Sequence, residues 1–460
     1  MFSWAHQAFV PLVYLLVGIA HWIAFLNLGN ISFLAQDWSK EFQYYSILRQ
    51  AVAQHVIPYS VSGILQGTDR FLALPETVLS PQILLLRYVD LGPFVVLNTV
   101  LLYIVGFIGC LMIRSRYSLS FFPFTMLFLI FSFNGHITAH LSGGHSMWNG
   151  YFLLPFFCLF ILDLVNGIDT ANTPLKLAVV LFAIGLQGSF HVFVWCLLFL
   201  AILGLFRREF LRPVIRVIAW SLLLTSFRLV PAFLSLSRLP HPFLSGYPTV
   251  SILLDALTTI KNVNYQEIRV LFGELAWSEY DAFIGVIGLA AIGYFGIYLR
   301  FSKSSYLTRF KFQSLDAPIA LMFVLSMSFF YGPFAMLPIP FAKVERVSTR
   351  FLIIPLLMLT VISAIRMEAI ISRLKHAAWV KYLGLAAALQ LSFEFVAHSF
   401  TWSLYKIESL SSAGTPMIPL RIIAPHNHTY VLSVQLSVLL TLLSLAAIVF
   451  AYVRNHLRGQ

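Results

Sequence analysis

The chain has 460 residues, of which 59% are hydrophobic and only 10% charged, with a mean hydropathy of +0.85; this excludes an ordinary soluble domain and reads as an integral membrane protein. A net charge of +12 and a pI near 9.6 would point to nucleic acid in a soluble protein, but in a polytopic one basic loops chiefly fix topology. The expected surroundings are therefore membrane lipids, with no nucleic-acid partner.

The first residues, Met1 to Ala8, lack the basic region of a cleaved signal, and the apolar run after them is long enough to span, so that span is expected to be retained. A helix crossing the hydrocarbon core needs about 20 apolar residues. The hydropathy pattern predicts an all-α polytopic membrane protein of about twelve such spans, some short or interrupted: 9–29, 93–113, 119–133, 151–166, 175–188, 190–206, 214–236, 281–299, 318–334, 351–365, 382–399 and 431–452. Cys110, Cys158 and Cys196 each fall inside one of them, spaced neither as a disulfide framework nor as a zinc site.

Basic residues orient the pattern, because short cytoplasmic loops collect Lys and Arg. With the first residues cytoplasmic, over half of the 30 basic residues, among them Arg114, Arg116, Arg207, Arg208, Arg300, Arg366 and Arg373, sit in short inner segments, while most acidic residues fall on the other side. Both termini are then cytoplasmic. The long loops 30–92, 134–150, 237–280, 335–350 and 400–430 face outward, so the working face is expected there.

The first outer loop opens with Ala35-Gln36-Asp37-Trp38-Ser39-Lys40-Glu41. Two amphipathic surface helices are expected in it. Trp38, Phe42, Tyr45, Leu48 and Val52 recur on one helical face that should lie on the bilayer, with Asp37 placed as its N-cap. Ser80-Pro81 reads as a second cap before Leu84, Leu85, Tyr88 and Leu91, and Gly67 to Ala73 as an irregular loop between the two helices. Asp37 is also a carboxylate at the mouth of the first span, where it could accept a proton from an acceptor hydroxyl; both readings stand at this point.

The segment 134–150 carries His136, His140 and His145, four and five residues apart. A histidine pair at i, i+4 on a helix can share a metal ion, but glycines interrupt the helix and no zincin motif is present, so no metal ligand is assigned. These histidines are expected to bond substrate or line a polar cavity, with Trp148 and Tyr151 in an interfacial aromatic belt. Arg228 lies within an apolar span, where a cation needs water, a partner or an anion. A lipid-linked phosphate could supply the anion; snorkelling, or a pair with Glu394, would serve as well.

Glu279 and Asp281 precede a span, where they could bind a metal or sugar hydroxyls, or merely favour the helix dipole. Lys343 to Arg350 is a basic cluster against the charge trend of the outer side, and its Arg346 and Arg350, four apart, suit a phosphate or pyrophosphate. Glu394 and His398, also four apart, could form a buried acid/base pair or a hydrogen bond between helices.

In order along the chain, Gln36-Asp37, Ile57-Pro58, the run from Phe71 to Ser80, Asn134-Gly135-His136 through Gly144-His145 and Trp148, Trp277-Ser278-Glu279-Tyr280-Asp281-Ala282-Phe283-Ile284-Gly285 and Arg346 to Arg350 resemble the polytopic glycosyltransferases of fold C (GT-C). Within them the likeness is to the bacterial YfhO-type family, loosely over most of the chain and best over the first 160 residues. The resemblance implies a GT-C-like catalytic transmembrane module over 1–236, an outer loop at 237–280 and a carboxy-terminal transmembrane module over 281–460. It implies transfer of a sugar from a polyprenyl-phosphate-linked donor to a glycan, lipid or polymer acceptor at the outer face of a bacterial plasma membrane. Asp37 would be the catalytic carboxylate, Arg228, Arg346 and Arg350 would meet the donor phosphate, and His136, His140, His145, Trp148, Glu279, Glu394 and His398 would contact substrate or acceptor. Some members use a divalent metal such as magnesium or manganese and others none; the chain lacks a clear Asp-x-Asp pair in its second outer loop, so the cofactor stays open. A transporter or flippase of a lipid-linked or anionic substrate is the alternative.

Overall fold

The computed structural model describes residues 2–62, 69–235, 245–261, 276–301, 311–336, 345–374, 378–408 and 420–459. Gly67, Thr68 and Lys343 lie outside the described residues, as do parts of the expected loops 237–280, 335–350 and 400–430.

The described chain is an all-α membrane protein. Six helices are long and apolar enough to cross a membrane: Leu91–Tyr117, Phe121–Ser142, Ser146–Asn166, Ser348–Ile371, Trp379–Trp402 and His428–Leu457. The other expected spans fall on the shorter apolar helices Phe9–Phe25, Thr173–Leu186, Phe190–Phe206, Gly285–Phe301 and Phe312–Leu325, and on one bent pair. The only sheet among the described residues is a two-residue antiparallel pairing of Ser60–Val61 with Ile422–Ile423, which ties the loop expected at 30–92 to the segment before the last helix.

Burial separates centre from rim. Phe121–Ser142, Ser146–Asn166 and Ser348–Ile371 have 89% of their apolar windows buried, against 17% for Trp379–Trp402 and 22% for His428–Leu457. The first three are the middle of the bundle, and the last two present Leu389, Phe393, Leu439 and Leu443 outward, as lipid-facing helices do. One apolar core runs from Trp22 to Val434, across both expected modules.

The span expected at 214–236 is broken. Arg208–Leu224 and Ser226–Leu234 meet at 72°. A break inside an apolar bundle strands backbone polar groups, which must find partners there. Thr441 of the last helix supplies them: its hydroxyl donates to Leu224 O at 3.0 Å and accepts from Phe227 N at 3.2 Å, and Ser226 Oγ donates to Ser437 O.

Three expectations for local structure are corrected. The apolar face of helix Trp38–Gln54 lies against protein, not bilayer: Trp38, Tyr45 and Leu48 are buried, and Trp38 Nε1 donates to Ser142 O at 3.1 Å. The second loop helix, Pro81–Arg87, is a 3-10 turn with proline first, and Ser80 makes no capping bond. Arg366, counted among the inner-loop cations, is instead buried within helix Ile353–Ile371 and donates to Phe295 O and Gly296 O, at a short π-helical stretch, Ile292–Ile297.

Candidate functional site

Asp37 stands at the N-cap position of helix Trp38–Gln54, as expected, but its side chain does not cap it. Its backbone is helical (φ −73°, ψ −6°) and its carboxylate makes no capping bond. Instead Oδ2 accepts from His145 Nε2 at 2.9 Å and lies 3.5 Å from Lys40 Nζ. Gly144 makes this meeting possible. It sits at φ +90°, where side chains are strained, and a Cβ there would stand 2.4 Å from Trp38 N. Only a glycine lets the turn after helix Gly135–Ser142 press against the start of Trp38–Gln54. Asp37 N then donates to Gly143 O at 3.3 Å.

From Asp37 a closed circuit of nine side chains can be traced. The Nδ1 atoms of His145 and His140 lie 2.8 Å apart, and His140 Nε2 is 3.8 Å from Glu279 Oε2. Arg350 donates to both Glu279 oxygens, at 2.6 and 2.8 Å, and to Glu345 Oε1 at 3.2 Å. Glu345 Oε2 accepts from His191 Nδ1 at 2.9 Å and from Trp195 Nε1 at 3.0 Å. His191 Nε2 lies 3.9 Å from Glu76 Oε1, and Lys40 donates to Glu76 Oε2 at 2.8 Å, returning to Asp37.

Trp148 is flanked by the circuit. Its ring centroid is 3.9 Å from that of His140 and 5.7 Å from that of His145, with the Arg350 guanidinium 5.0 Å away. Trp148 and Tyr151 are therefore corrected from the interfacial belt to the buried interior, where Tyr151 donates to Phe131 O.

The circuit is polar matter buried at one end of an apolar bundle, and water reaches it unevenly. The Asp37 side chain is 49% exposed, His191 21%, Arg350 12% and His140 1%. Asp37 is thus its open edge. Burial pushes the Asp37 carboxyl up, but the hydrogen bond and charge of His145 and the charge of Lys40 outweigh it and hold the group below the usual carboxylate range. Glu76 is depressed in the same way, burial being overcome by His191 and Lys40, and Glu345 is held down at about 2 by His191 and Arg350 against burial. Behind Asp37, burial pushes Glu41 up to about 7 against the pull of Lys40 and of the Ser146 hydroxyl, which donates to it at 2.5 Å.

Charge in the circuit is unbalanced. Among the described residues of the circuit, Asp37, Glu76, Glu279 and Glu345 face two permanent cations, Lys40 and Arg350, so the remaining balance falls to the three histidines or to a bound cation. Three donors could hold one: the ligand atoms of His140, His145 and Glu279 all lie within 4.8 Å of one another.

The other expected site residues lie around this circuit or away from it. Arg350 is inside it, its guanidinium taken by two glutamates. Arg346 is exposed beside it. His136 is buried behind Trp148, with Nε2 unbonded. Arg228 is buried and does not pair with Glu394: it donates to Leu74 O, Thr77 Oγ1 and Thr77 O, clamping the turn that carries Glu76. Glu394 and His398 do not pair with each other. His398 Nε2 and Trp402 Nε1 donate to Asp281 at 2.9 and 2.7 Å, and Glu394 accepts from Val286 N, so this group braces the segment bearing Glu279.

Lys40, Glu76, His191 and Glu345 are the members that sequence reasoning missed. Lys40 and Glu345 stand inside stretches singled out for other residues, and His191, an ionisable group at the start of an apolar helix, carried its own signal. No family model, curated protein or solved structure matches the chain.

Proposed function

We propose that the chain is a membrane glycosyltransferase that moves a sugar from a polyprenyl-phosphate-linked donor to an acceptor hydroxyl, with inversion, and that Asp37 is its catalytic carboxylate. The observation that carries this reading is the state of Asp37: excused from capping, ionised, half-exposed, and aimed by His145 and Lys40 at the open edge of a buried polar circuit. An ionised carboxylate so placed accepts the hydrogen bond of a hydroxyl and then its proton as the hydroxyl oxygen attacks the anomeric carbon. The bond from that carbon to the phosphate oxygen breaks, and the lipid phosphate leaves with the electron pair. Arg346, open to solvent beside the circuit, is the cation assigned to the leaving phosphate, with Lys40 next to Asp37.

In this reading the five shorter apolar helices and the bent pair also cross the membrane, giving about twelve spans in a GT-C-like arrangement. Both termini are cytoplasmic and the circuit opens at the outer face of a bacterial plasma membrane. The acceptor is a glycan, lipid or polymer.

A transporter or flippase of an anionic or lipid-linked substrate is the second reading, favoured by the 72° break between Leu224 and Ser226, since broken helices accompany alternating access. One experiment separates them. Purified protein in nanodiscs is given a panel of synthetic polyprenyl-phosphate sugars with candidate acceptors, and in proteoliposomes the same labelled lipids are followed across the bilayer. Release of free polyprenyl phosphate is the result the transferase reading requires; lipid movement with no release replaces it by the transporter.

A further inference from the structure

We propose that His140, His145 and Glu279 form a binding site for a divalent transition metal ion of the zinc class. The inference does not rest on the transferase reading.

The donors converge. Helix Gly135–Ser142 carries His140, and the turn through Gly144 brings His145 back so that its backbone N donates to His140 O at 3.0 Å. The two rings then present Nδ1 to Nδ1 at 2.8 Å, Glu279 Oε2 lies 3.8 Å from His140 Nε2, and one ligand atom from each of the three residues falls within 4.8 Å of the others. These residues come from two segments far apart in sequence, each braced independently, one by Trp148 packed against His140 and the other by the bonds of Asp281 to His398 and Trp402.

The hydrogen bonds around the donors fix what can sit between them. A neutral imidazole has one N–H and one lone pair. The Asp37 carboxylate accepts from His145 Nε2, so the neutral ring keeps its lone pair on Nδ1, directed at His140. Only a proton or a cation bridges two ring nitrogens at that separation. Carboxylate on the far nitrogen of a ligating histidine is the outer arrangement that orients metal-bound imidazoles and strengthens them as donors. The charge balance favours the cation: against four carboxylates the circuit sets Lys40, Arg350 and His191, which is paired with Glu345 and Glu76, so negative charge remains for a bound cation to meet.

Two imidazoles and a carboxylate suit zinc and its neighbours, whereas magnesium and calcium prefer oxygen alone. Zinc–nitrogen bonds of about 2.0 Å in tetrahedral geometry set the two nitrogens roughly 3.3 Å apart. The Nδ1 pair therefore needs to open by about half an ångström to admit the ion, and the Glu279 carboxylate, 3.8 Å from His140 Nε2, turns toward it to complete the set. Glu279 can ligate while paired with Arg350, because each carboxylate oxygen has a second acceptor direction. Three protein ligands leave a fourth position for water or a substrate oxygen.

The test is metal content, read without any assay of activity. Protein stripped with chelator, loaded with zinc and desalted is analysed by mass spectrometry of the metal, for the wild type, His140→Gln, His145→Gln and the exposed-site control His428→Gln. About one zinc per chain is expected in the wild type and the control, falling at least tenfold in the other two. Cobalt loading of the wild type needs no variant, and a strong visible ligand-field band of a four-coordinate ion is expected. Wild-type protein that retains no stoichiometric zinc and shows no such band overturns the site and leaves a proton between the two rings; so does full retention in folded His140→Gln and His145→Gln.

Discussion

Asp37 Oδ2 accepts a hydrogen bond from His145 Nε2 at 2.9 Å, across 108 residues of chain. The bond takes the carboxylate away from the helix end beside it and makes it the open edge of a buried circuit. If His145 orients Asp37 for proton transfer, His145→Ala is expected to lower donor turnover by about 10²-fold or more. Steady-state release of polyprenyl phosphate checks this, and a variant with unchanged turnover removes His145 from the mechanism.

Gly144 is where the backbone permits that bond. Gly144→Ala faces both a φ of +90° and a Cβ 2.4 Å from Trp38 N, whereas Gly167, at φ +72°, has nothing within 4 Å of such a Cβ. Gly144→Ala is expected to cost upwards of about 3 kcal/mol and Gly167→Ala about 1 kcal/mol, since the first adds a backbone clash to the strain. Thermal unfolding of the two variants in the same detergent ranks them, and equal losses would show that the contact yields cheaply.

Arg228 distinguishes a brace from a phosphate contact. Arg228→Met strips the turn Leu74 to Thr77 of three hydrogen bonds and loosens Glu76. Removing one side of such a buried charged group is expected to destabilise by about 3 kcal/mol, with lower kcat and an unchanged KM for the donor. A raised KM with an unaltered melting temperature would assign Arg228 to the phosphate after all.

Glu41 gives the pH dependence. Its folded carboxyl titrates at about 7 against 4.5 in the unfolded chain, so between those values the folded state binds more protons. Stability from this group is fully present below about 4.5 and falls as pH rises through about 7. Glu41→Gln, which cannot lose a proton, is expected to flatten that decline and to melt higher than the wild type at pH 8. Melting temperatures measured from pH 4 to 8 decide it; parallel curves for the two proteins would place the dependence elsewhere.

Hydropathy made the bundle legible: each expected span falls on apolar helix, though 214–236 is bent by 72°, 318–334 is divided between Asp316–Leu325 and Ser328–Met336, and only six helices among the described residues are long enough to be assigned as crossing. Asp37, His140, His145, Glu279 and Arg350 were legible because ionisable residues next to apolar runs are expensive and stand out. What could not be read was their pairing. Trp38 and Tyr45 have the spacing of a surface helix, and nothing local says that the bilayer face is replaced by Ser142 and Ser146. Arg228 in an apolar span poses a question that only Thr77, 151 residues away, answers. Glu76 looks like any loop glutamate until Lys40 and His191 close on it. Long-range pairing carries no period, so sequence patterning is silent about it.

The most direct measurement is release of polyprenyl phosphate from the best donor by Asp37→Asn beside the wild type, with thermal unfolding of both. Asparagine keeps the shape of the side chain while removing the charge and the proton acceptor. The account predicts that turnover falls by about 10³-fold or more while the variant stays folded. Wild-type turnover by a folded Asp37→Asn protein would contradict it and reduce the carboxylate to a structural tie.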